Sequence, residues 1–138
     1  MNTVITGATG AVGSALATIL HERGDSLLLC GRNNEKLTEL NRVLGGAHHT
    51  LAGDLTGAEE SAALQAKAAD IGVIEGLAHC MGSTVVRPLH LTSEKDWLEQ
   101  FSVNATSAFH VLKWFVIQAT RAQCPAAAVL TRDRKSVV

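Results

Sequence analysis

Thr3-Val-Ile-Thr-Gly-Ala-Thr-Gly-Ala-Val-Gly-Ser-Ala-Leu16 is the stretch from which the rest of the chain can be placed. A β-branched run, Thr3 to Thr6, passes straight into glycines at 7, 10 and 13, and an alanine-rich helical pattern continues from Ala11 to about Arg23. Strand, glycine turn and helix in that order make a seat for a pyrophosphate, because N–H groups at the helix start face the anion and the helix dipole favours its charge. Gly7 is expected to turn the chain off the strand, Gly10 to let backbone approach phosphate, and Gly13 to let the helix pack against the sheet. Glycines at such spacing also punctuate ordinary loops. Their position between strand and helix, at the head of a repeating β/α pattern, favours nucleotide binding over a plain turn.

That pattern continues to the far end. Ser26-Leu-Leu-Leu-Cys30 is a short, continuous apolar run of the kind buried on both faces of a parallel sheet. Asn34 to Leu44 reads as an amphipathic helix with Leu37, Leu40 and Leu44 on one face, stopped by Gly45-Gly46. A strand over 47–52, a helix over about 58–69 and a strand over 73–80 come next. From Thr92 a long helix is expected to about Ala122, capped by Thr92 or Ser93, with Cys124-Pro125 ending it before a fifth strand over 126–131. Alternating strands and helices imply right-handed βαβ units, hence an α/β fold with a doubly wound, Rossmann-like parallel sheet of about five strands.

Composition narrows the function. The chain has 138 residues, 46% hydrophobic and 18% charged, with a formal net charge of −1, which speaks against nucleic acid or an anionic membrane as partner. Its three cysteines form no Cys-x-x-Cys pair, and Cys30 and Cys80 sit in apolar runs, as reduced buried thiols of a cytoplasmic protein would. No secretory signal or membrane-spanning run is legible. The pair His48-His49 is no convincing metal site, since adjacent strand residues face opposite ways and no further ligands lie at suitable spacing. No metal is expected. There is no tyrosine anywhere in the chain.

Several positions carry candidate chemistry. About twenty residues past the glycines, where dinucleotide folds meet the adenosine ribose, Arg32 stands in place of an acidic residue. It reads as a clamp for a 2′-phosphate, favouring NADP over NAD, or as a solvated arginine opening a helix. Asp54 reads as a partner for the adenine amino group, as a turn-forming residue before a helix, or as both. His79-Cys80-Met81-Gly82 ends the fourth strand beside the switch point; a nucleophile or metal ligand is less favoured there than backbone brought close to a cofactor. Trp97, Phe101, Phe109, Leu112 and Val116 fall at helical spacing and are expected in the core or in a helix–helix contact. Asn104, an amide within an apolar helix, either bridges helix backbone to water near an active site or is exposed.

Together these residues resemble the short-chain dehydrogenase/reductase family over 3–131. Thr6-Gly7-Ala8-Thr9-Gly10-Ala11-Val12-Gly13 looks like its cofactor fingerprint, although Gly10 is placed as in the extended, nucleotide-sugar branch. Cys30-Gly31-Arg32 looks like the NADP-preferring end of the second strand, and Asp54-Leu55 like the adenine contact. His79-Cys80-Met81-Gly82 stands where the family has Asn-Asn-Ala-Gly. Arg87-Pro88-Leu89, Asp96-Trp97 and Ser102-Val103-Asn104 resemble the ordinary single-domain branch, which is the branch favoured. The resemblance implies cofactor contacts from Gly7, Thr9, Gly10, Ala11, Val12, Gly13, Arg32, Asp54, Leu55, Cys80 and Gly82. It implies NADP, with NAD as the alternative, and a small carbonyl or alcohol substrate. The parent protein is expected to be a homo-oligomer through the long helix, 92–122. Asn104 then belongs to a catalytic Asn-Ser-Tyr-Lys group in which a tyrosine, made more acidic by the lysine, exchanges a proton with substrate as hydride moves at the nicotinamide.

With no tyrosine present, the chain is expected to be the cofactor-binding part of such an enzyme, without turnover and with the sheet incomplete at its C-terminal side. Residues 1–131 are then the NAD(P)-binding domain and 132–138 a non-native or disordered tail, Asp133–Val138 resembling a translated sequencing adapter. The fifth strand is expected to be an unprotected edge. Three functions are compatible with this: part of an NADP-dependent oxidoreductase, a cofactor-binding module without chemistry, or an interaction protein built on the long helix.

Overall fold

The chain runs β1 (Asn2–Thr6), α1 (Ala11–Glu22), β2 (Ser26–Gly31), α2 (Asn34–Val43), β3 (His49–Ala52), α3 (Ala58–Ile71) and β4 (Gly76–His79). After a single 3-10 turn (Leu89–Leu91) come α4 (Glu94–Phe101), a π-turn (Ser102–Thr106), α5 (Ser107–Ala122) and β5 (Ala127–Leu130). These elements belong to a computed structural model that describes residues 1–131; the expected tail, 132–138, lies outside the described residues. The sheet is parallel throughout, in the order β3-β2-β1-β4-β5. The chain therefore winds outward one way from β1, returns, and winds the other way from β4. The carboxyl ends of β1 and β4 meet at that reversal, where sheets of this kind bind ligands.

The apolar run of β2 supplies both faces of the sheet at once. Leu27 and Leu29 pack with Ile5, Ala17, Leu20, Leu37 and Leu44 under α1 and α2, whereas Leu28 and Cys30 pack with Val4, Leu64, Leu77, Val111 and Phe115 under α3 and α5. Alternation of side chains along a strand makes this division unavoidable. The expected leucine face of α2 is present, with Leu37 and Leu44 buried, and the helix stops where Gly45 and Gly46 take φ of +86° and +74°.

Three expectations need correction. The strand expected over 73–80 is ordered as a strand only over Gly76–His79, because the Gln118 side chain of α5 takes both backbone groups of Ile74 (3.2 and 2.6 Å). The long helix contains a π-turn, in which Ser107 N–H bonds back to Ser102 O. Such a turn holds one extra residue and rotates the next helical segment by roughly 100°. Accordingly Phe109 and Val116 are exposed and Ala108, Val111 and Phe115 enter the core instead, with Leu112 packed at its margin; Trp97 and Phe101, on α4 before the turn, are exposed as well. At the sheet's other side, all four residues of β5 are exposed, Val129 at 58% and Leu130 at 49%, so β5 is an uncovered edge among the described residues.

Candidate functional site

Gly7 leaves β1 with φ of +67°, a conformation that L side chains rarely adopt. A Cβ there would lie 2.6 Å from Cys80 O, so the turn after β1 rests directly on the backbone at the end of β4. Gly13 is equally constrained: a Cβ would lie 2.2 Å from Gly7 O. The first turn of α1 therefore packs on the glycine loop itself rather than on the sheet. Gly10, the N-cap, makes no side-chain bond, and α1 has no acidic residue in its first turn. Its leading N–H groups are thus available to an anion, with the helix dipole behind them.

A cleft of about 260 Å³ opens above this loop. Gly7, Thr9, Gly10, Arg32, Asp54, Leu55, Cys80 and Gly82 all line it, joined by Gly31, Gly53, Met81, Ser83 and Val103. Eight of the positions singled out from sequence are brought together here. Ala11, Val12 and Gly13 are not in the lining; they form the first turn of α1, Val12 largely exposed and Gly13 buried. Leu55 contributes backbone only, since its side chain lies in the core under α3 and α5. Arg32 is exposed beside the cleft and has no ion-pair partner among the described residues. Asp54 is likewise exposed at the rim. Cys80 is half-buried and burial pushes its thiol up, against a weaker opposing hydrogen bond from Thr131, so it is not poised as a nucleophile.

A second cavity, about 490 Å³, adjoins the first through Met81, Gly82 and Ser83 and is bounded by His79, Gln100, Asn104 and Thr131. Asn104 lies in the π-turn and is exposed. Its Nδ2 donates to Ser83 O and to Gln100 O (both 2.8 Å), and its Oδ1 accepts from Ser83 N–H (3.1 Å). One amide thus holds both backbone groups of Ser83, fixing the loop after β4 against the helix. That loop is held again farther on, where Arg87 pairs with Asp96 at 2.6 Å and Asp96 forms a capping box with Ser93.

Beneath the cavities His79 is 2% exposed, and burial holds its imidazole below the ordinary range. Its Nδ1 lies 2.8 Å from Thr6 Oγ1 and its Nε2 lies 3.2 Å from Ser107 Oγ. Nothing in the sequence marks Ser107, or marks Thr6 as more than the end of the strand and the first residue of the glycine fingerprint. Their meeting depends on the register that pairs Thr6 with His79, and on the π-turn that aims Ser107 inward. The other conspicuous histidine, His48, is engaged structurally: its Nδ1 accepts from Leu27 N–H (3.3 Å), and its backbone is clamped by Asn41. No cluster of three or more metal-ligating side chains occurs among the described residues. No helix among them is long and apolar enough to cross a membrane.

Comparison with known proteins agrees with this architecture. The family model described as short chain dehydrogenase matches residues 1–123. An uncharacterized oxidoreductase of Bacillus subtilis, YvrD, is 30% identical over 115 residues, which is 82% of this chain and 44% of that protein. Nodulation protein G of Rhizobium meliloti is 31% identical over 119 residues, 86% of this chain and 49% of that protein. The chain therefore spans about half the length of the relatives it matches. Among solved structures, a short-chain type dehydrogenase/reductase from Mycobacterium ulcerans superposes with a TM-score of 0.85 at 25% identity, covering 94% of this chain and 50% of that one. The F189W actinorhodin polyketide ketoreductase with NADPH superposes with a TM-score of 0.88 at 21% identity, covering 99% and 56%.

Proposed function

Because the chain belongs to the short chain dehydrogenase family, we propose that it forms the NADP(H)-binding part of a cytoplasmic oxidoreductase acting on a small carbonyl or alcohol substrate. The observation that carries this reading is the convergence of the Gly7–Gly10 loop, Arg32 and Asp54 on one cleft at the sheet's reversal. The residues fit the cofactor. The glycine loop presents bare backbone and an uncapped helix start to the pyrophosphate. Arg32 has a guanidinium free for a 2′-phosphate, where an acidic residue would instead hold a 2′-hydroxyl. Asp54, at the rim of the cleft, could accept a hydrogen bond from the adenine amino group, and Gly82 leaves backbone accessible where the two cavities join. The related fold of the ketoreductase whose structure was determined with NADPH supports the choice of cofactor.

Bound in this cleft, the cofactor would supply hydride chemistry at its nicotinamide. The protein's share is to orient it: the loop at Ser83, clamped by Asn104, and the backbone at Gly82 separate the cofactor cleft from the second cavity, the place for substrate. Proton exchange with substrate oxygen needs an acid/base, and the tyrosine that the family resemblance calls for is not among the 138 residues. A binding module without turnover is therefore the second reading. A thermal-shift titration with NADPH and, separately, NADH tests the first: a saturable rise, larger for NADPH, is expected. No shift with either, from protein shown to be folded, overturns it. Assay of the same preparation for NADPH oxidation with a panel of carbonyl compounds then decides between enzyme and binding module.

A further inference from the structure

We propose that His79 is a positioning residue of the cofactor site: as a neutral imidazole protonated on Nε2 it ties the strand leading into the glycine loop to the π-turn carrying Asn104, and gaining a proton releases that tie. The proposal rests, for its functional consequence, on the NADP(H) reading above.

The tautomer is set by the acceptors. Ser107 Oγ donates to Val103 O at 2.6 Å, so its one hydrogen is spent and it can only accept from His79 Nε2, at 3.2 Å. His79 Nε2 therefore carries the hydrogen, and Nδ1 accepts from Thr6 Oγ1–H at 2.8 Å. The result is a directed chain, Thr6 to His79 to Ser107 to Val103 O, in which every hydrogen has a destination. It is buried throughout its side chains, with Thr6 and Ser107 both at 0% exposure. Its ends matter for the site. Thr6 immediately precedes Gly7, and Val103 lines the cofactor cleft one residue before the asparagine that clamps Ser83. The π-turn makes the last link available, because the Ser107 amide bonds to Ser102 O and its hydroxyl reaches Val103 O.

A second proton on the ring would put an N–H where Thr6 already donates. Thr6 Oγ1 has no other hydrogen-bond partner among the described residues, so its hydrogen would be stranded in a buried place beside an unpaired charge. No anion offsets that charge among the described residues. β1 presents Thr6, α5 presents Ser107 and Ala108, β5 presents Leu130 with Thr131 just beyond it, and the loop after β4 presents Met81. The titratable neighbour in sequence, Cys80, has its thiol pushed up by burial and stays neutral. The ring borders the second cavity, so hydration from that side, with loss of the contacts to Thr6 and Ser107, is the available relief.

Nuclear magnetic resonance of the full chain tests this without cofactor. At neutral pH the ring nitrogens of His79 should report the Nε2–H tautomer, and on acidification the amides of Ser83, Asn104 and Ser107 should shift with the same midpoint as the ring. A ring in the other tautomer, a ring that stays neutral throughout, or a ring that titrates while those amides stay still overturns the proposal. His79→Gln keeps a donor and an acceptor but has no proton to gain, and it should abolish the shared midpoint. Affinity for NADP⁺ should fall at least about tenfold more in the unmutated chain than in H79Q between about pH 8 and pH 5.5, the cofactor's own 2′-phosphate titration being common to both. Failure of the unmutated chain to bind NADP⁺ at pH 8 counts against the cofactor reading alone. Binding whose pH profile is the same in H79Q counts against His79.

Discussion

Arg32 and Gly13 represent two kinds of requirement at single positions. Arg32 is exposed and free of ion-pair partners among the described residues, so it is there for something outside the chain or for nothing. Charge-assisted hydrogen bonds are worth about 1.5–3 kcal/mol, so Arg32→Gln should weaken NADPH binding by roughly 10- to 100-fold and leave NADH nearly unchanged. Equal losses for both cofactors, measured by fluorescence titration, would remove the arginine from the 2′-phosphate. Gly13 is required for space, not for an unusual φ, since a Cβ would meet the Gly7 carbonyl at 2.2 Å. Gly13→Ala should destabilise the fold by about 1–3 kcal/mol, because the neighbour is backbone and cannot rotate away. A melting curve of the unliganded chain reads that cost.

Between residues and the whole stand the helix termini and the π-turn. Ser93 and Asp96 satisfy one another's backbone N–H groups, and the same carboxylate receives Arg87, so one cap serves helix and loop together. Ser93→Ala should cost about 1 kcal/mol in chemical denaturation. Asn104→Ala removes three hydrogen bonds at once, two of them to Ser83, and leaves both backbone groups of that residue to solvent. Its effect should be local: faster amide exchange at Ser83 and its neighbours, with exchange in β1 and β2 unchanged. The amide was legible as an oddity in an apolar helix. Its partner was not, because Ser83 lies 21 residues away and meets it only through the turn.

For the molecule as a whole, acid should act in two stages. His79 and His48 are held below the ordinary histidine value of 6.5, chiefly by burial, so the unfolded chain binds their protons more readily. Their contribution is complete above that value and is lost as pH falls through the folded values. Asp25, buried between Arg23 and the N-terminal amine, is held below 3.8, first by its hydrogen bond with Arg23, and its contribution is lost only below that value. Melting temperatures across pH should therefore decline below about 6.5 and fall again below about 4. The uncovered β5 edge is a second property of the whole. Val129 and Leu130 are exposed on an edge strand paired only with β4, whose free side is a template for association. Sedimentation should show self-association of the chain that Val129→Lys diminishes; a strictly monomeric unmutated chain contradicts this.

The β/α alternation, the glycine loop and the two-faced burial of β2 were readable from the chain because each is encoded within a few residues of itself, by periodicity, φ preference and apolar content. The family was legible in the same local signals. The π-turn was not readable: one extra residue in a helix leaves the sequence looking continuous, yet it rotates α5 enough to exchange Phe109 and Val116 for Val111 and Phe115 in the core. Nor was the chain from Thr6 through His79 to Ser107, whose members are separated by 73 and 28 residues. Hydrogen bonds of that kind exist only once strands are in register and a helix has been rotated onto them. Registry between distant segments is a property of the packed molecule, where burial makes each unpaired polar group costly enough to select one arrangement.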